Sequence, residues 1–446
     1  MADYSRRDFI RLSSCALGGV ILAGCGSSNS GSGGGVSTPN GYYFYRLKTA
    51  GEQAGTGSRA LAVYEFGSSV HFSKDGIVTF DALDVDGNQA LFQFDVDFSG
   101  SKPRISQELT ALLSGDILAD GRVVKKFVAH DVNADGNIAA VIQPSNNSEQ
   151  HYGSGLYLNT ARSGFERILG VGDVFHNDRY ESTGIIGDVS LRDGNSLLFA
   201  ASHLTGSAPQ SSIFHLPGGL LANSNLVMST GDYVNSSDEQ FTGFGILDHL
   251  ADGYFSVTAS HRLSDYLSAN QAGGDGSVNS LLSGHLANPD DHLLLSAGEN
   301  MLNSIHTASV HYGPRVAPDG TVYSKIADPD RESLIADDVV IKTTDEVTFR
   351  GDKIDSFTPG CVSPDGVFYY SEYSDTRDGL YTDLYAYDGE NHRLILSTGD
   401  TLSDGGSPVK HILFSTTTNH IDADGRLVFV CEFADKSSAV VVGMPV

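Results

Sequence analysis

Five residues of this sequence combine side chains and spacing that could do chemistry. Each lies four residues before the aspartate of an Asp-Gly pair, and they are His71, Asp131, Asp248, Arg315 and His420. Val189 and Cys361 occupy the same position in the two other copies. Imidazole and carboxylate groups that meet at one place can hold a metal ion or act as acid and base. The polar wall of a water-filled channel would have the same composition, and this is the alternative interpretation.

These positions are equivalent only if the chain is built from repeats. Asp-Gly pairs recur roughly every 60 residues, which is typical of a repeat architecture, and they begin at Asp75, Asp135, Asp193, Asp252, Asp319, Asp365 and Asp424. Pro318 and Pro364 precede two of the pairs, where proline presets the backbone for a type I turn that glycine closes. Runs rich in β-branched and aromatic residues follow, such as 76–80 (GIVTF) and 426–430 (RLVFV). Each pair therefore predicts the turn of an antiparallel hairpin.

A third strand-like run follows in every copy, and a fourth ends in glycine and a carboxylate. The carboxylates assigned to this position are Glu52, Asp116, Asp173, Asp232, Glu299, Asp352 and Asp400. A ring of them on one face could attract cations. A carboxylate after glycine also stabilises a turn by accepting nearby backbone N–H groups, and this is the favoured interpretation.

The strand count predicts how the fold closes. The C-terminal copy stops at Val446 after its third strand, whereas the N-terminal run 43–48 leads into Gly51-Glu52 and has no partner of its own. A ring closed by this N-terminal strand would leave no exposed sheet edge. We therefore predict an all-β, seven-bladed β-propeller over residues 41–446, with four antiparallel strands in each blade and the last blade completed by the N-terminal strand.

Two segments, 84–88 and 131–136, match the first half of a calcium-binding loop. A complete loop of the second would place a glutamate where Ile142 stands, and the same turn recurs elsewhere without the other ligands. The hairpin-turn interpretation is therefore favoured. No cofactor is identifiable from the sequence, and a divalent cation is the one that stays open, without a complete motif.

The first 40 residues predict export and lipidation. Arg6 and Arg7 precede a short apolar run, 12–24, as in twin-arginine signals, and 22–25 (LAGC) resembles a lipobox whose cysteine, Cys25, would be lipidated. A Gly/Ser-rich tether follows. The expected organisation is a signal peptide at 1–24, a lipidated tether at 25–40 and the propeller at 41–446. We expect a monomer in the cell envelope, anchored on its periplasmic or cell-surface side.

The charge excludes some partners. The chain carries 28 Lys and Arg against 55 Asp and Glu, a formal net charge of -27. Such a field repels nucleic acid, so no nucleic-acid partner is expected. Outside the signal and lipidation sites, Cys361 and Cys431 are the only cysteines, and free thiols are favoured over a disulfide.

With the repeat established, the chain resembles the secreted bacterial tandem-repeat proteins whose unit is written NxxGxxAF. The nearest copy is 133–140 (NADGNIAA), which keeps the Asn, Gly and Ala and lacks the Phe. Copies with Pro-Asp-Gly, such as 363–366 (SPDG), resemble TolB-like propeller repeats. The resemblance implies a propeller fold and an envelope location, and it implies no activity.

Two functions follow from this organisation. The first is a non-enzymatic binding or scaffold module that contacts a protein, glycan or other polymer through its loops, because recognition usually resides in loops on a rigid scaffold. The second is an extracytoplasmic hydrolase or lyase whose site lies at the mouth of the central channel and uses histidines and carboxylates, with or without a metal. Blade four also carries a long insertion, 264–279. The loop residues nominated for contacts are His151, Tyr152, His203, His261, Tyr266, Tyr373 and Arg377.

Overall fold

The structure is a computed structural model that describes residues 41–145, 154–206, 208–233, 240–250, 252–262, 277–295, 310–327, 331–337, 339–377, 379–414 and 420–446. These residues belong to one compact unit that runs from Thr38 to Val446. Arg6, Arg7, Cys25, His151, Tyr152, Tyr266 and Glu299 lie outside the described residues, as does most of the 264–279 insertion.

The described chain forms 31 β-strands and five short 3-10 turns, and none of its described residues is in an α-helix. The first three strands are β1 (Tyr42–Thr49), β2 (Gln53–Ala54) and β3 (Leu61–Ala62). Blade one contains β4 (Glu65–Phe72), β5 (Ile77–Leu83), β6 (Gln89–Asp97) and β7 (Arg104–Leu113). Blade two contains β8 (Val123–Val132), β9 (Ile138–Ser145), β10 (Gly155–Asn159) and β11 (Phe165–Leu169). Blade three contains β12 (Val174–Phe175), β13 (Tyr180–Arg192), β14 (Ser196–Thr205), β15 (Ala208–Leu216) and β16 (Asn225–Ser229).

The remaining blades repeat the same pattern. Blade four contains β17 (Gln240–His249), β18 (Tyr254–Arg262), β19 (Ser277–His285) and β20 (Asn288–Leu295). Blade five contains β21 (Val310–Val316), β22 (Val322–Ala327), β23 (Glu332–Ala336) and β24 (Val339–Thr343). Blade six contains β25 (Ser356–Val362), β26 (Phe368–Thr376), β27 (Gly379–Tyr387) and β28 (His392–Ser397). Blade seven contains β29 (Val409–Leu413), β30 (Leu427–Phe433) and β31 (Ser438–Pro445), with β1 as its fourth strand.

The predicted seven-bladed propeller is confirmed, including its closure. Strand β1 pairs antiparallel with β31, and Phe44 lies opposite Gly443. A Cβ added at Gly443 would come 2.5 Å from the Phe44 ring, so the glycine makes room for this buried aromatic side chain. On its other side, the N–H of Phe44 donates to Ser403 Oγ at 3.0 Å. The closing strand is therefore bonded on both sides.

The hydrophobic core lies between adjacent blades. Buried side chains of blade seven, such as Val428 and Val440, pack with Phe80 and Phe92 of blade one. The same kind of layer joins other neighbouring sheets, as where Leu156 of blade two meets Phe199 of blade three. Both remaining cysteines, Cys361 and Cys431, are buried free thiols. Among the described residues, no helix is long and apolar enough to cross a membrane.

The hairpin turns are held by the residue two positions before the turn aspartate. Asn133 Oδ1 accepts the N–H groups of Asp135 and Asn137, at 3.1 and 3.0 Å. Asp422 does the same in blade seven, and in blade six Ser363 Oγ accepts the N–H of Val367. The asparagine of the repeat is therefore a turn-capping position that several side chains can fill. We call the side of the disc that carries these Asp-Gly turns the turn face.

The opposite side, which we call the loop face, carries the loops between second and third strands and the connections between blades. In the six connections described at this point, a carboxylate accepts the backbone N–H of the residue three positions earlier; the carboxylates are Glu52, Asp116, Asp173, Asp232, Glu346 and Asp400. The turn role favoured from the sequence therefore describes these groups.

The sequence assignment of Asp352 to this set is wrong. Blade five ends its fourth strand at Thr343, and Glu346 accepts the Thr343 N–H at 3.0 Å. Asp352 lies further along the connection, where its own N–H donates to Thr348 Oγ1 at 3.2 Å. The Gly-Asp dipeptide misled the alignment because Asp345 replaces the expected glycine at the true position.

Candidate functional site

The five residues nominated for chemistry do meet near the propeller axis. They lie on the innermost strands, or just before the Ile421–Leu427 bridge in the case of His420. In blades one to six, the pairing of the innermost strand shifts by a bulge close to the aligned residue, as between Tyr312 and Arg315. Bulges re-aim side chains, and here they accompany the turn of the polar groups toward the axis. The residues are 0 to 5% exposed, so they do not line an open channel.

A chain of ion pairs joins blades two to five, and a hydrogen bond extends it to blade six; we call this set of contacts the axial network. Arg192 Nη1 donates to Asp131 Oδ2 at 2.8 Å, and Nη2 of the same guanidinium contacts Asp248 Oδ1. Arg315 Nη1 lies 3.8 Å from Asp248 Oδ2, and Arg315 Nε donates to the carbonyl of Gly360 at 2.6 Å. Two buried carboxylates are therefore balanced by two guanidinium groups, of which Arg315 is buried and Arg192 is partly buried.

Backbone groups complete the axial network. Asp131 accepts the N–H of Val132 and of Leu191, each at 2.8 Å, and Asp248 accepts the N–H of Val316 at 3.2 Å. The second and third of these bonds cross to the neighbouring blade. Buried carboxylates are tolerated when hydrogen bonds and opposite charges replace their hydration. Both aspartates thus act as links between blades.

The histidines lie beside the axial network. His71 Nδ1 is 3.4 Å from Asp131 Oδ1, and the His71 ring lies 5.1 Å from that of His130. Neither ring nitrogen of His71 makes a hydrogen bond to a described residue. His420 Nδ1 is 2.8 Å from the carbonyl of Val428, and its ring stacks on Phe414 at 4.0 Å.

Burial dominates the protonation of these groups. It lowers the pKa of His71 well below its ordinary value, and it lowers the pKa of His130 to about 4. It also raises the pKa of Asp131, against the attraction of Arg192. His71 and His130 are therefore neutral at neutral pH. They are held in place in a closed environment, and a substrate could reach them only if the ring opened.

Arg192, the central cation of the axial network, was not predicted from the sequence. In blade three the aligned position is occupied by Val189, so no charged residue was expected there. The charge comes instead from three residues later, immediately before Asp193 of the turn. Lys74 occupies the same turn position in blade one and contacts Asp135. A valine between polar neighbours was the signal that this blade supplies its charge from another position.

Two loop nominations are wrong. His203 lies on β14 and His261 on β18, and both side chains are fully buried. Their Nε2 atoms lie 2.8 Å from Ser212 Oγ and Ser280 Oγ, on the neighbouring strand. The strands continue further than the turn composition suggested, since each histidine finds a hydroxyl partner within the sheet.

The other described loop nominations are more accessible. Tyr373 is half-buried near the end of β26, and Arg377 is exposed in the turn that follows. Asp84, in the first calcium-like segment, uses Oδ1 to accept the N–H groups of Asp86 and Asn88. Within the part of the chain that is described, no group of three or more His, Cys, Asp or Glu is arranged to hold a metal ion.

A different pattern of exposure occurs on the loop face. The residue after the clamping carboxylate is exposed in all six described connections, and in four of them it is apolar. These four are Ile117, Val174, Tyr233 and Val347, and they are 53 to 76% exposed. The next residue is buried where it is described, as with Leu118 and Phe175. In the five connections where both residues are described, one side chain is therefore buried and the residue before it is exposed to solvent.

Removal of Arg192 should destabilise the ring more strongly at neutral pH than in acid. In Arg192→Met, Asp131 and Asp248 lose their shared counter-charge, which for a buried pair costs about 3–5 kcal/mol. The loss raises the pKa of Asp131 further in the folded state, so the carboxyl takes up a proton as the pH falls and the penalty shrinks. Urea unfolding of both proteins at pH 7 and pH 5 measures this, with the exposed Arg179→Met as control. An equal penalty at both pH values would contradict the account.

The buried histidines should make the fold sensitive to acid. The pKa of His71 is lowered in the folded state, so the unfolded chain binds protons first; this stability is complete above pH ~6.5 and is lost progressively below it. His71→Gln should reduce the slope of unfolding free energy against pH by about 1.4 kcal/mol per pH unit below that value. Denaturant titrations between pH 7 and pH 5 provide the slope. Identical slopes in the two proteins would show that His71 is protonated when folded.

No protein-family model matches the chain, and no curated protein matches it. Among solved structures, it is similar to the polysaccharide lyase Uly1, with 10% identity over 92% of this chain and 98% of that one and a TM-score of 0.46. The α-L-arabinanase of Penicillium chrysogenum complexed with arabinobiose shows 12% identity, coverage of 74% and 97%, and a TM-score of 0.36. The Dos1 propeller shows 9% identity over 92% of this chain and 96% of that one, with a TM-score of 0.37. Likenesses this weak carry no functional argument, and the propeller assignment rests on the strand pairing itself.

Proposed function

We propose that this protein is a binding or scaffold module of the cell envelope that contacts its partner with the loop face. The observation that carries the proposal is the recurrent exposure of Ile117, Val174, Tyr233 and Val347 on that face. A single exposed apolar residue is ordinary, but the same exposure at equivalent positions of four connections is a pattern that solubility alone does not explain.

The position of β1 supports this choice of face. Strand β1 ends at Thr49 and passes into a connection of the loop face, so its first residue, Tyr42, starts at the turn face. The N–H of Val446 donates to the carbonyl of Gly41 there, at 2.9 Å. Both ends of the described domain, Gly41 and Val446, therefore lie at the turn face, and neither covers the loop face.

The enzyme alternative would need a substrate to reach the axial network. His71, Asp131, Asp248, Arg315 and His420 are at most 5% exposed, and the charged members are already paired with one another or with backbone groups. General acid and base groups must come within hydrogen-bonding distance of the reacting atoms. The geometry thus favours a structural role for these five residues, and it gives the binding function the stronger support.

The envelope location is tested through Cys25. The proposed lipid on this residue should hold the protein in the membrane fraction, because acylation provides the apolar surface that the tether lacks. Cys25→Ala should shift the protein to the soluble envelope fraction and abolish incorporation of radiolabelled palmitate. Arg6→Lys with Arg7→Lys should instead leave the precursor in the cytoplasm. A Cys25→Ala protein that stays in the membrane fraction and still takes up label would refute the anchor.

The binding face is tested by site-specific photocrosslinking in intact cells. A photoreactive residue at position 117, 174, 233 or 347 should give adducts, whether of discrete size with a protein or smeared with a polymer. Leu220 and Val339 are matched controls, since they are 59 and 60% exposed, apolar and on the turn face. Adducts from the two control positions alone, or from none of the six, would overturn the proposal.

A further inference from the structure

Blade six differs from the other six blades at one cross-strand pair. Glu372 on β26 lies opposite Asp383 on β27, and Asp383 lies opposite Ser397 on β28. The residues equivalent to Glu372 in the other blades are all apolar, and they are Ala82, Ile142, Ala201, Ala259, Ile326 and Cys431. The residues equivalent to Asp383 are all small and neutral, and they are Ala90, Gly155, Ser212, Ser280, Ser333 and Ala439.

The two carboxylates are buried and held by cations. Glu372 is 1% exposed, and its carboxylate contacts the ammonium of Lys342, which belongs to the outer strand of blade five. Asp383 accepts a hydrogen bond from Ser397 Oγ and lies 3.7 Å from Arg350 Nη2. Like charges directly opposite in a sheet are destabilising, and buried ion pairs are often no more stable than apolar residues of the same volume. Stability alone therefore does not account for this cluster.

The cluster fixes an aromatic platform at the surface. Arg350 Nη2 donates to Ser397 Oγ and to the carbonyl of Thr398, the latter at 2.6 Å. Its guanidinium carbon lies 4.8 Å from the centre of the Phe349 ring and 4.7 Å from that of Tyr381. Phe349 is 56% exposed, and the Arg350 side chain is 29% exposed. The Phe349 ring is thus exposed to solvent beside the Arg350 guanidinium, which contacts with buried Asp383 and Ser397 hold in place.

We propose that this platform, Phe349, Arg350 and Tyr381, binds a neutral sugar chain; the proposal rests on the binding function proposed above and assigns it a site. Sugar rings offer apolar C–H faces that pack on aromatic rings, and hydroxyl oxygens that accept from a guanidinium. The Arg350 side chain makes its hydrogen bonds to described residues through Nη2, which leaves Nε–H and Nη1–H donors for such oxygens.

The surrounding charges select against anionic polymers. Glu346 and Asp355 are exposed in the same connection, and Arg350 already faces Asp383. The whole chain adds a formal charge of -27. The connection's carboxylates, Asp345, Glu346, Asp352 and Asp355, outnumber its cations, Arg350 and Lys353, so carboxylated or sulfated polysaccharides would meet a net negative field. Neutral chains avoid the repulsion and keep the stacking.

Affinity electrophoresis tests the site with xylan, laminarin and dextran as neutral probes and alginate as the anionic probe. At least one neutral polysaccharide should retard the wild-type protein, and alginate should not. Phe349→Ala should raise the dissociation constant obtained from the retardation roughly tenfold, which is the scale of one lost stacking contact. Arg350→Lys should also weaken it, because lysine keeps the charge but loses the planar fork. Leu220→Ala, an exposed apolar change on the turn face, should bind like the wild type.

The outcomes separate this inference from the general binding function. Neutral glycan binding that survives Phe349→Ala and Arg350→Lys would refute the platform and leave a binding module. Absence of retardation by every neutral probe, or retardation by alginate alone, would refute the sugar assignment, while crosslinks from the loop face would still support the proposed function. Because Phe349 is largely exposed, its alanine variant is expected to keep the wild-type circular dichroism and urea midpoint, so a loss of binding reports on the site.

Discussion

The pairing of buried charges at the axis is the interaction on which this ring depends. Asp131, Arg192, Asp248 and Arg315 belong to four successive blades, and each compensates a charge that its neighbour brings out of water. Removal of Arg192 would leave Asp131 buried without a counter-charge, which costs far more than the pair itself contributes. The network therefore specifies which blades are neighbours and how adjacent blades are aligned along the propeller axis.

The rest of the fold extends this arrangement outward. Between the blades, apolar layers supply the non-directional part of the stabilisation. The clamping carboxylates fix the six described connections, and β1 closes the last sheet by pairing with β31. Groups that look catalytic in the sequence are thus used to hold the disc together, whereas the residues offered to solvent lie on the connections between blades. Rigid scaffolds that present variable loops commonly divide their residues in this way.

The sequence predicted what local chemistry determines. Asp-Gly turns and the strand count gave the seven blades and their closure, because turn conformation depends on few residues and a missing strand must be supplied from somewhere. It assigned Asp352 wrongly, since a Gly-Asp pair inside a connection looks like one at a strand end. His203 and His261 were predicted to lie in loops, because the serine partners that satisfy them inside the sheet lie on a neighbouring strand. Arg192 and the platform at Phe349 could not be found, because both depend on contacts between residues far apart in the chain.

Native-state hydrogen exchange at the amides of Leu191 and Val316 tests the structural role of the axial network most directly. Both N–H groups donate to the buried aspartates across a blade boundary. If the network locks the ring, these amides should exchange only through global unfolding, with the protection of the most stable core strands. Fast exchange through local opening, at a rate independent of global stability, would contradict this account and would indicate that the axis can open to substrates.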